Sequence, residues 1–289
     1  MNDLPYGFHS QANPIIYADD TSVLLSADSE AELQSNMNLA IDFMTKWFSA
    51  NSLVLNMDKT NIVKFTSNKR QTNNFRIIYH DKLISGVNTI KLLVLHIDKD
   101  LNWKTHIQNL LPKLSSACYL IRRMYPLFNM RTLKMIYYTY FHSVMEFGMF
   151  WGASAESRKV FLLQKRILQV MTGSPPRATC RTLFCKLGIL TMVAQYVLSL
   201  MKFLASNPEL FTFNTSVHGI NTRTSSKLDK PSVRLKLNQQ GPYNSCVNIY
   251  NKLPNGLAIL ITKKKLSLKQ LRVYISTKPI YSLDEQFES

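Results

Sequence analysis

The spacing of apolar residues changes character near residue 103, and that change sets the fold class. Before it, apolar residues come in short runs: Ile15-Ile16-Tyr17, Val23-Leu24-Leu25, Leu53-Val54-Leu55, residues 61–66, residues 75–79 and residues 90–97. Short runs bounded by polar turn formers predict strands. After it, Ile107, Leu110, Leu111, Leu114, Cys118, Ile121 and Met124 recur at steps of three and four. That spacing stacks side chains on one helical face. Strands with one helix, followed by a run of helices, predict an α+β chain.

Local signals refine this. Ala18-Asp19-Asp20-Thr21 between two apolar runs predicts a β-hairpin. Asp28 or Ser29 can cap a helix to about residue 49, with Glu30 and Glu32 in its first turn and Leu33, Met37, Ala40, Ile41, Met44 and Phe48 on one face. Pro112 is expected to kink or begin the helix around it. Asn129 can cap a second helix, and Gly173 suits the residue just past a third, over 155–172. A helical pair is expected over 181–187 and 191–205, a long polar loop over 211–242, and order again over 243–253 and 263–275. The division expected is 1–100, 101–175 and 176–289.

Charge narrows the function. Lys and Arg total 35 against 18 acids, a net of +17, unevenly placed. Residues 1–50 carry seven acids and one base, whereas residues 101–280 carry 26 bases and only Glu146, Glu156, Glu209 and Asp229 as acids. Such an excess predicts a polyanionic partner, nucleic acid or an anionic membrane surface. Lys165-Arg166, Arg158-Lys159 and Lys263-Lys264-Lys265 are the candidate phosphate contacts. The four cysteines show no zinc-type clustering, so no zinc is expected. The N-terminus has no basic and apolar leader, and the longest apolar stretch, 191–205, is too short to span a bilayer. The expectation is an intracellular protein, nuclear or cytoplasmic, neither secreted nor in a membrane.

The sharpest chemical signal is Tyr17-Ala18-Asp19-Asp20. Adjacent carboxylates at a hairpin tip, joined by a third, can bind two Mg²⁺ ions about 3.5–4 Å apart and clamp the attacking and leaving oxygens of phosphoryl transfer. Asp-Asp is also ordinary turn chemistry, with both carboxylates simply solvated.

Its surroundings favour the first reading. Asn13-Pro14-Ile15-Ile16-Tyr17-Ala18-Asp19-Asp20-Thr21 resembles the Y-x-D-D box of reverse transcriptases. Trp47-Phe48, Asn51-Ser52-Leu53-Val54-Leu55-Asn56 and Lys59-Thr60 resemble the following palm motif of LINE-type enzymes, and Ile90-Lys91-Leu92-Leu93-Val94-Leu95-His96-Ile97-Asp98 their primer grip. Leu101-Asn102-Trp103-Lys104-Thr105-His106-Ile107 continues the match. Tyr140-Phe141-His142-Ser143-Val144-Met145, Phe150-Trp151-Gly152, Leu163-Gln164-Lys165-Arg166 and Met171-Thr172-Gly173 are similar to the thumb of the jockey-like branch. Asn221-Thr222-Arg223, Asn251-Lys252-Leu253-Pro254 and Tyr281-Ser282-Leu283-Asp284-Glu285 extend the likeness to the C-terminus.

The resemblance to a non-LTR retrotransposon reverse transcriptase, C-terminal half, implies a partial palm, a helical thumb and a basic, mainly helical C-terminal region. It implies Mg²⁺ as cofactor, RNA and DNA as template and primer, and an upstream half of the same polyprotein as a partner. It makes Asp19 the metal-binding carboxylate, Asp20 its companion and Tyr17 the residue beneath the primer terminus. Lys59 matches a motif lysine that protonates the pyrophosphate leaving group; on its own it reads equally as a surface lysine after a strand. Leu92, Leu93, Val94 and Leu95 would hold the primer backbone, or form a core strand, or both. Where the family has an aromatic residue and then glycine, this chain has Leu93 and Val94. The fingers and the earlier palm strand with the first catalytic aspartate have no counterpart here. The expectations are therefore three: a polymerase fragment inactive alone, a non-catalytic nucleic-acid-binding module, or a transposon remnant. The coding sequence upstream of Met1 would separate them.

Overall fold

An alternating strand needs a partner, and the first pair finds one locally. In the computed structural model, which describes residues 3–8, 12–66, 76–79, 82–218, 226–254, 256, 258, 261 and 266–285, β1 (Ala12–Tyr17) pairs antiparallel with β2 (Asp20–Leu25). The register runs from Ala12 opposite Leu25 to Tyr17 opposite Asp20, leaving a two-residue turn. The fold is α+β, in two compact units, Met1–Ile90 and Lys91–Ser289.

In the first unit, Ser29 caps α1 (Glu30–Ala50), its hydroxyl accepting the Glu32 N–H at 3.2 Å. Glu30 and Glu32 stand at the positive end of the helix dipole. The buried face of α1 carries Met37 and Ile41, which pack with Leu25, Ile62 and Ile84. β3 (Arg76–Tyr79) and β4 (Lys82–Ser85) form a second antiparallel pair. Two expected strands are not formed. Residues 53–55 are irregular, with Val54 93% exposed, and residues 61–66 contribute a single bridge, Ile62 to Gly86. Among the described residues no neighbouring strand offers Leu53–Leu55 its missing hydrogen bonds or a face to bury.

The unit boundary falls inside β5 (Thr89–Leu92), ten residues before the expected one, because β6 (Leu95–Asp98) packs on α2 (Lys104–Met124) of the second unit. Asp98, 7% exposed, explains the join. Its carboxylate accepts backbone N–H groups from Asp100 (3.2 Å), Asn102 (3.1 Å) and Trp103 (3.0 Å), fixing the turn and the start of α2. Trp103 there adopts a left-handed conformation (φ 63°). Pro112 neither begins α2 nor divides it. It lies on the exposed face, while Ile107, Leu110, Leu114, Ala117, Cys118 and Ile121 bury the opposite stripe. Several buried side chains at about 1.5–3 kcal/mol each outweigh the roughly 3 kcal/mol cost of a helical proline.

Further helices follow: α3 (Met130–Ile136), capped by Asn129 and running into a π-helical turn at Tyr137–His142; α4 (Ser157–Thr172); α5 (Arg181–Leu187); α6 (Met192–Ser206); α7 (Pro242–Lys252); and α8 (Leu266–Thr277). Gly173 ends α4 with φ 64°, a conformation that glycine adopts without Cβ strain. One core gathers α2, the π-turn, α4 and α5; a second gathers α6, α7 and α8. Met192 belongs to the first and Tyr196, Leu200 and Leu204 to the second, so α6 joins them across the expected boundary at 175. The expected loop over 211–242 is more ordered than its composition indicates. It holds helices Asn214–His218 and Lys236–Gln239, and Leu228 is buried with both backbone groups bonded to the Asn251 amide (2.8 and 2.9 Å). No single helix among the described residues is long and apolar enough to cross a membrane; the bent pair α5–α6 has the composition, and its apolar residues fill the cores.

His106 on α2 gives this unit a pH dependence. It is 4% exposed, and its Nδ1 accepts the His96 N–H at 3.3 Å. Burial, with His96 and Lys113 nearby, lowers its pKa from the ordinary 6.5, and burial does the same for His142. The unfolded chain therefore takes up protons first as pH falls. The stability these neutral rings contribute is complete above pH 6.5 and is lost progressively below it, toward the folded-state pKa. Thermal unfolding followed by circular dichroism should show the midpoint falling as pH drops below 6.5, and His106→Asn should flatten that fall.

Candidate catalytic hairpin and nucleic-acid interface

The β1–β2 turn places Ala18 and Asp19 at the tip, with Asp20 opposite Tyr17 on the first paired rung. Ala18 is left-handed (φ 54°), a conformation that costs a non-glycine residue about 1–2 kcal/mol. Asp19 and Asp20 are both exposed. Residues on alternate positions share a face: Ile15 and Tyr17 on β1 with Asp20, Ser22 and Leu24 on β2. Ile15, Tyr17 and Leu24 are 49%, 66% and 52% exposed, so this face of the hairpin is apolar and open.

The donor set suits one hydrated Mg²⁺, which binds through one or two carboxylates and keeps several waters. No group of three or more His, Cys, Asp or Glu side chains able to hold a metal occurs among the described residues. Lys59 ends the 3-10 turn Met57–Lys59; its side chain is exposed, its N–H is bonded to Asn56, and no ion pair links it to Asp19 or Asp20.

Leu92 to Leu95 is a hairpin rather than a continuous strand. Leu92 ends β5, Leu95 begins β6, and Leu93 and Val94 form the exposed turn between them. The left-handed residue is Leu93 (φ 52°), so this turn calls for glycine one position before the place where the resembling family carries it.

In the second unit the adjacent bases separate. One hundred degrees of helical rotation part each from its neighbour. Arg158 and Lys165, seven residues apart on one stripe of α4, face a common cavity. Arg166 turns toward α2, where Arg122 lies near the same buried thiol, Cys118; burial raises that thiol to about 11 against both cations. Lys159 is committed to Glu156 at 2.6 Å and holds that carboxyl below its ordinary value. Lys263, Lys264 and Lys265 lie outside the described residues, as does Asn221-Thr222-Arg223.

One arrangement had no local signal in the sequence. The Lys165 ammonium sits over the rings of Phe161 (4.4 Å) and Tyr281 (4.0 Å), and the Arg181 guanidinium over Tyr281 (4.3 Å). Arg181 also pairs with Glu285 at 2.8 Å, whose second oxygen accepts the Tyr281 N–H at 2.9 Å. That N–H, aided by Arg181, keeps Glu285 below the usual carboxylate range. More than a hundred residues separate Lys165 from Tyr281, a distance no periodicity bridges. No family model, no curated protein and no solved structure matches this chain.

Proposed function

We propose that the chain is part of an RNA-directed DNA polymerase of the non-LTR, jockey-like retrotransposon class, and that these 289 residues hold a template–primer duplex without completing its chemistry. The observation that carries the reading is Tyr17-Ala18-Asp19-Asp20 at the tip of an antiparallel hairpin with both carboxylates exposed. α1 and the β5–β6 hairpin follow it in the order in which the resembling family places its palm helix and primer grip. The basic helical unit beyond supplies charge for phosphates. In this reading Asp19 and Asp20 bind one metal ion and Tyr17 lies under the primer end. A non-catalytic nucleic-acid-binding role for the chain by itself is the second reading, supported by the excess of bases over residues 101–280.

The test is a primed RNA template with deoxynucleotides and Mg²⁺, read for binding by fluorescence anisotropy and for extension on a gel. Binding without extension is expected. Extension abolished by Asp19→Ala would make the chain an enzyme unaided and overturn the division between holding and chemistry. Binding no tighter than that of an unrelated protein of equal net charge would remove the polymerase reading altogether.

A further inference from the structure

A cavity of about 620 Å³ opens in the helical unit between the first half of α4, the start of α6 and the segment Tyr281–Glu285. Arg158, Lys165 and Tyr281 line it, with Asp284 and Glu285 on the tail side. Its charges are unevenly matched. Arg181, which contacts two of the lining residues, is fully engaged: it donates to the Pro279 carbonyl (3.0 Å), pairs with Glu285 and stacks on Tyr281. Lys165 is not. Its ammonium has three donors, yet no carboxylate among the described residues lies within ion-pair distance, and it sits over two ring faces. Burial pulls its pKa below the ordinary value, and Arg181 and Arg158 push the same way against Cys180 and Glu285. A half-buried cation beside a second, exposed cation, in a cavity with room for several heavy groups, is a site short of an anion.

The tail indicates which anion. It brings an aromatic ring onto two cations and, four residues on, a carboxylate onto one of them. A base and its phosphate offer the same pair of contacts: stacking on an aromatic or guanidinium face, and charge-assisted hydrogen bonds to Arg and Lys.

We propose that this cavity binds a phosphate of single-stranded nucleic acid through Lys165 and Arg158, and that the segment Tyr281–Glu285 is a built-in competitor whose Glu285 holds Arg181 until a phosphate displaces it. The proposal rests on the nucleic-acid reading above and adds a location and a gate to it. Asp284 and Glu285 repel the incoming phosphate, so neutralising them favours the ligand, whereas losing Lys165 removes one phosphate contact.

The test uses the full chain and a 5′-phosphorylated ten-nucleotide thymidine strand, with inorganic phosphate as a separate competitor. The double variant Asp284→Asn/Glu285→Gln is expected to bind the strand about three- to tenfold more tightly, as removal of nearby like charges requires. Lys165→Gln is expected to bind more weakly and to lower the salt slope by about 0.7. If Lys165→Gln fails to fold by circular dichroism, Arg158→Gln, at an exposed position, decides by the same criterion. Unchanged affinity in the tail variant, or unchanged slope in the cation variant, overturns the proposal. If the strand still binds in either case, the polymerase reading survives that failure. Binding of inorganic phosphate without any binding of the strand overturns nucleic acid as the occupant.

Discussion

Replacing Gln164 with leucine is expected to lower the stability of the helical unit by about 3–5 kcal/mol and its melting midpoint by roughly 10 °C. Gln164 is completely buried on α4 and serves three partners at once. Its amide donates to the Tyr137 hydroxyl and to the Leu190 carbonyl, both at 2.9 Å, and its oxygen accepts the Met192 N–H at 2.7 Å. Those partners sit in the π-helical turn and at the entry to α6, so one side chain ties together the elements where the two cores meet. Leucine of similar volume adds apolar burial and leaves three buried polar groups without partners, each costing about 1–3 kcal/mol. Domains are stable by only about 5–15 kcal/mol, so the loss is a large share of the total. Urea denaturation of the two proteins measures it. A difference below about 1 kcal/mol would mean that water reaches the orphaned groups and that the network is not a structural joint.

The second large effect is in salt. If six phosphates are contacted, affinity for duplex DNA should fall about a thousandfold between 50 and 200 mM salt. Among the described residues the bases of 101–280 fall into unequal classes. Lys159 and Arg181 already face carboxylates, whereas Arg122 and Arg166, on the packed helices α2 and α4, flank Cys118 with no ion pair to an acid among the described residues. Arg122→Gln with Arg166→Gln should therefore lower the logarithmic salt slope by about 1.8 on duplex, near 0.9 for each contact, and weaken binding to every sequence alike. Lys159→Gln should change it far less. Equal effects from all three positions would show a diffuse attraction with no defined interface.

What the sequence disclosed follows the range of the interaction. Caps and helical stripes are written within a few residues, and Ser29, Asn129 and Gly173 stand at helix ends where their side chains or backbones require. Strands depend on partners elsewhere, and Leu53-Val54-Leu55, apolar enough for a strand, lies irregular, with Leu53 and Val54 exposed. The same limit governs the candidate sites. The Asp19–Asp20 turn was legible because both flanking strands adjoin it. The neighbours Lys165 and Arg166 read as one cluster, yet helical geometry sends them to different surroundings. Of the two rings under Lys165, Phe161 is on α4 itself, but Tyr281 comes from a segment with no sequence relation to that helix.

The second core has a consequence for synthesis. The core that holds Leu190, Val197, Leu200 and Leu204 is completed only when Leu271, Ile275 and Ile280 have been made. These are separated by about 90 residues, taken from Leu190 to Ile280. At roughly 5–20 residues per second on a ribosome, the apolar face of α6 waits on the order of 5–20 s for its cover. During that interval part of its apolar face lacks its final partners and is open to a holding chaperone. Slowing translation beyond α6 would lengthen the exposure and raise the fraction lost to aggregation, with no change in the finished protein.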